Sequence, residues 1–150
     1  MTSRAKKILV ALVVTGVCLL IIIGVFAGTA VVGWKAAVRA GNEAATIQNL
    51  KTIEAVEVQY FSTHKRTFGT LDQLVSEQFL SSSFARHPTV KDGYVFTLSL
   101  GHKQDGSSWY KITADPQDAS QGRNHFYLDS DGDSIHFNPE HQAGPGDPSQ

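Results

Sequence analysis

Ile8 to Trp34 reads ILVALVVTGVCLLIIIGVFAGTAVVGW, 27 residues without one charged side chain. A helix rises about 1.5 Å per residue, so this run is long enough to cross a hydrocarbon layer of about 30 Å with some tilt. A cleaved secretory signal has a shorter apolar region of roughly 7–15 residues and a small-residue cleavage site, which Ala27-Gly28-Thr29-Ala30 imitates poorly. A lipoprotein signal needs a small residue before its cysteine, whereas Val17 precedes Cys18. The economical reading is a transmembrane helix over 8–34.

Charge divides the chain around this run. The first 42 residues carry five basic side chains, Arg4, Lys6, Lys7, Lys35 and Arg39, and no acidic one; the remaining 108 carry eight basic and fourteen acidic. The formal charges are therefore +5 and -6, for a net -1. An acidic domain is repelled by nucleic-acid phosphates, so no nucleic acid is expected as a partner. The basic start favours a cytoplasmic segment over 1–7. Everything after about Lys35 is then exported, into the periplasm or the extracellular space, on a protein held in the cytoplasmic membrane by a single pass. Lys6, Lys7, Trp34 and Lys35 are the expected membrane-interface residues, with lipid as their partner, because basic groups and indole favour the headgroup region. Cys18 falls inside the span, so the exported part has no cysteine for a disulfide.

Past Trp34 the helical pattern continues. Ile47, Leu50, Ile53, Val56 and Tyr60 recur every three or four residues, which gives one helix from about Ile8 to Phe61, apolar all round and then amphipathic. Gly41-Asn42 is its weak point, the glycine costing about 1 kcal/mol. Thr70 and Gln73 have the spacing of a capping box opening a short helix through about Glu77. Ser81-Ser82-Ser83 and His87-Pro88 mark a loop that lasts to Gly93. There the period becomes two: Tyr94, Phe96, Leu98 and Leu100; Tyr110, Ile112 and Ala114; Phe126 and Leu128; Ile135 and Phe137. Gly101 to Ser108 is a hairpin loop and Asp129 to Asp133 a tight turn. The fold class is α+β, a long amino-terminal helix, transmembrane then amphipathic, packed on a small antiparallel β-sheet that is covered on one side. The exported domain spans 35–138, and 139–150, rich in Pro and Gly, is expected to be a disordered tail.

This order of elements resembles the type IV pilins and the pseudopilins of type II secretion. The resemblance covers roughly 36–137 and rests on the succession of Asn49-Leu50-Lys51-Thr52-Ile53, Thr70-Leu71-Asp72-Gln73-Leu74, Gly93-Tyr94-Val95-Phe96-Thr97, Tyr110-Lys111-Ile112-Thr113-Ala114-Asp115-Pro116 and Gly122-Arg123-Asn124-His125-Phe126-Tyr127-Leu128-Asp129. It implies a pilin-like domain whose partners are other pilin-like subunits or pilus and secretion machinery. The chain departs from the family at its start: the prepilin peptidase motif is missing, and no carboxylate lies between Met1 and Asn42. What remains implied is a permanently anchored pilin-like structural or interaction protein.

Asp129, Asp131 and Asp133 stand at alternate positions around Gly132, with Glu140 twelfth from Asp129. An EF-hand would place its glycine sixth, so a hairpin turn that needs no metal is the simpler reading, and no cofactor is expected. Calcium at these three aspartates is the alternative; it would make the protein a calcium-dependent binding module on a membrane stalk. The resemblance keeps that alternative, since some major pseudopilins hold calcium near their carboxyl ends. His64, His87, His102, His125, His136 and His141 form no pair at zinc spacing on a helix. Ser107-Ser108, His125 and Asp115 supply the residue types of a triad, yet nothing places a nucleophile on a strained turn, so an enzyme is not expected.

Overall fold

The computed structural model describes residues 3–149, with side chains described for 13–21 and from 33 onward. It is α+β, a long helix and a five-stranded antiparallel sheet. Helix α1 runs over Ser3–Thr63 without a break at Gly41-Asn42. The chain divides into two units, 1–37 and 38–150.

In the first unit every described side chain is exposed, including Val13, Val14, Val17, Leu19, Leu20 and Ile21, as are Trp34 and Lys35. Among the described residues no helix is long and apolar enough to cross a membrane. Of the expected span, 8–12 and 22–32 lie outside the described side chains, as do Lys6 and Lys7 and the rest of 1–7.

In the second unit, α2 (Leu71–Ser76) opens on the expected capping box, with Thr70 Oγ1 accepting from the Gln73 amide and Gln73 Oε1 from the Thr70 amide. Strands β1 (Thr89–Lys91), β2 (Tyr94–His102), β3 (Ser108–Pro116), β4 (His125–Asp129) and β5 (His136–Asn138) follow, each pairing with the next as an antiparallel meander. Alternation turns Tyr94, Phe96, Tyr110, Ile112, Ala114, Phe126 and Leu128 inward, into one buried cluster with Leu50, Ile53 and Tyr60 of α1.

Three expectations change. The fully buried face of α1 is Thr46, Leu50, Ile53, Glu57 and Tyr60, while Ile47 and Val56 flank it half-buried. Spacings of four, three, four and three keep that stripe straight along a helix, with polar residues at two of its five places. A β1 strand lies inside the expected loop, joined to β2 by a two-residue turn at Asp92-Gly93 in which both φ angles are positive, 51° and 78°. The third change is the tail, which is folded back rather than disordered. Ser149 bridges His136, Ala143 is buried, the Phe137 amide donates to Pro148 O, and Asn138 Nδ2 donates to Asp147 Oδ1 at 2.7 Å. These backbone and side-chain bonds satisfy the outer edge of β5, which would otherwise be a bare strand edge.

Candidate functional site

The outward residues of β3, β4 and β5 form a polar face. Pairing sets Lys111 beside Asp129, Thr113 beside Tyr127, Tyr127 beside His136, and His125 beside Asn138. His125 and His136 point outward on this face but do not meet. His125 Nδ1 donates to Asp115 Oδ1 at 2.6 Å, and His136 Nδ1 donates to Asp147 O at 2.7 Å. Gln142 from the returning tail donates to the second oxygen of Asp115 at 2.9 Å, so both carboxylate oxygens are engaged.

At the far end of β4 the three expected aspartates are held separately. Asp129 accepts from the Tyr127 hydroxyl at 2.7 Å through one oxygen and from the Asp131 amide at 2.9 Å through the other. Asp131 accepts from Lys103 Nζ at 2.6 Å. That bond holds the Lys103 ammonium above its usual range, and burial, followed by the Asp129 bond, pushes the Tyr127 hydroxyl up to about 12. Burial first and the Asp133 charge second raise the Glu54 carboxyl of α1. Among the described residues no group of three His, Cys, Asp or Glu side chains is arranged to hold a metal ion. Calcium needs six to eight oxygens around one point. The turn instead engages Asp129 with the Tyr127 hydroxyl and the Asp131 amide, and Asp131 with one lysine. Chelator should therefore leave the melting temperature of the protein unchanged. Calcium at a hundredfold excess over its Kd would add about 2.7 kcal/mol, and a calcium-dependent rise lost in Asp131→Asn would contradict this arrangement.

The residue types of a triad are only partly assembled. His125 and Asp115 meet, but Ser107 and Ser108 lie at the opposite end of β3, where Ser107 Oγ donates to Asp105 at 2.6 Å and Ser108 Oγ lies 3.3 Å from His102 Nδ1. Among the described residues no hydroxyl is bonded to the His125 ring.

Two features lie outside the sequence expectations. The Glu57 carboxylate is fully buried between helix and sheet; Oε2 accepts from the Gly69 amide at 2.9 Å, and Oε1 has no hydrogen-bond partner. Burial outweighs the amide bond and raises its pKa to about 7. Glu43, one turn past Arg39, clamps the loop after β3: its oxygens accept from the Arg123 and Asn124 amides at 2.7 and 3.3 Å and from Asn124 Nδ2 at 2.8 Å. Asn42 adds bonds to Gln121 O and Oε1 at 2.8 and 3.1 Å. The 4-3-4-3 spacing from Thr46 to Tyr60 could have exposed Glu57 as a core position; the Glu43 clamp joins residues 80 apart in sequence and leaves no local trace. No family model, no curated protein and no solved structure matches this chain.

Proposed function

We propose that this protein is a membrane-anchored, pilin-like structural or interaction subunit, a component or accessory of a type IV pilus or type II secretion system. The domain over 38–150 is its displayed part. The observation that carries this reading is the exposure of Val13, Val14, Val17, Leu19, Leu20 and Ile21, each between 51% and 70% open on a helix of uncharged residues. Moving six such side chains from water into lipid is worth on the order of 10 kcal/mol. Trp34, 72% exposed at the end of that run, suits the headgroup layer. The order of long helix, short capped helix and antiparallel meander supports the pilin-like part, and the absence of a carboxylate before Glu43 supports a permanent anchor over processed assembly. Membranes washed with alkaline carbonate should retain the protein, and its intact mass should be unchanged by a co-expressed prepilin peptidase. Release into the wash would refute the anchor; a shortened chain would refute its permanence.

A further inference from the structure

Where the loop after β3 passes the second unit's first helical turn, Arg39, Asp118, Arg123, His125 and Pro139 line a cleft of ≈ 470 Å³. Its cations are uncommitted. Neither the Arg39 nor the Arg123 guanidinium makes an ion pair or side-chain hydrogen bond among the described residues. The partner that helix geometry offers Arg39 is Glu43, four residues on, but both Glu43 oxygens are taken by Arg123 and Asn124. Asp118 likewise spends an oxygen on the Ser120 amide at 2.7 Å, and the Ser120 hydroxyl first and that amide second hold its carboxyl below the usual range. The His125 ring is fixed through Nδ1 by Asp115, itself held by Gln142, which leaves Nε2 as its uncommitted nitrogen. Among the lining residues two arginines stand beside one carboxylate, Asp118, while the neighbouring Glu43 and Asp115 are held by Arg123 and Asn124 and by His125 and Gln142.

We propose that this cleft binds a phosphate group, with Arg39 and Arg123 as its charged donors and His125 as a third contact. Guanidinium forks match the geometry of phosphate and carboxylate alike, but three lining groups carried by a helix, a loop and a strand suit a tetrahedral oxyanion better than a planar carboxylate with two oxygens. The phosphate has two sources of the same chemistry, a free phosphate compound or a lipid headgroup. Only the lipid source rests on the membrane-anchor reading, since Arg39 follows Trp34 by five residues in the chain.

The test is titration calorimetry on the full chain in a neutral detergent at fixed ionic strength, with inorganic phosphate in one arm and phosphatidylglycerol mixed into the micelles in the other. Arg39→Gln and Arg123→Gln are measured alongside. Arg123 is exposed, so its variant should melt as the parent does without ligand. Saturable binding of inorganic phosphate that each variant weakens roughly tenfold or more supports the free source. Binding confined to phosphatidylglycerol, with the same loss in each variant, supports the headgroup. No saturable binding in either arm, or binding that both variants retain, would overturn the proposal. Because the protein is in detergent throughout, an empty cleft says nothing against the anchor, which the carbonate wash reads separately.

Discussion

Unfolding free energy should fall as pH rises from about 4.5 to about 7, and Glu57→Gln should remove most of that slope. The unfolded chain protonates Glu57 near 4.5, whereas the folded protein holds the proton up to about 7, because its carboxyl is buried with a single amide bond. Between those values the folded state binds the extra proton. The contribution is fully present below about 4.5, declines through the window and is lost above about 7. The interval corresponds to about 3 kcal/mol at 1.36 kcal/mol per unit, a large part of the stability of a small domain. Asp105, Asp118 and Asp147, each held low by hydrogen bonds, act in the opposite sense and only as pH falls below about 3.8, so they do not mask the effect. Denaturant titrations from pH 4 to pH 9 on both proteins provide the check. At pH 8 the glutamine variant should be the more stable, and a parent whose stability is flat from pH 5 to pH 8 would show that Glu57 is solvated.

Gly122→Ala should cost about 3 kcal/mol, at the upper end of what overpacking a close-packed site usually costs. A Cβ on Gly122 would overlap the Tyr94 hydroxyl and press on its ring, with Cε2 only 2.7 Å away. The ring cannot retreat: it is fully buried, lies 5.7 Å from Phe126 between ring centres, and donates its hydroxyl to Asn124 O at 3.0 Å. Tyr94→Phe alone should cost about 1 kcal/mol for that bond. The double variant should lose less than the two single losses together, because the phenylalanine ring removes the worst overlap while its remaining edge still collides. Thermal melts of the four proteins measure this coupling. Strict additivity would mean that the loop around Gly122 moves aside.

The elements with a strong period could be read from the chain alone. Leu50, Ile53 and Tyr60 on one helix face, and the alternation of β2, β3 and β4, follow from spacing because burial imposes it. Asp92-Gly93 is also a hairpin signal, but a preceding strand of only three residues, just after Pro88, has too little alternation to show. The tail's composition suggests disorder, while its order depends on partners outside itself, Asp115, His136 and Phe137. Glu57 is hard to recognise as a core residue because its charge outweighs its position in any hydrophobicity pattern. The acid turn could be located in the sequence, but its chemistry could not: Lys103, 28 residues before Asp131, is what pairs with that carboxylate.

For the proposed placement of the helix through residues 13–21 in lipid, its own cysteine is the natural probe. Cys18 is exposed on that helix and is the chain's single thiol. In intact membranes a membrane-impermeant maleimide should leave it unlabelled, and dissolving the membranes in denaturant should make it react fully. Equal labelling before and after solubilisation would place the helix in water and contradict the anchor.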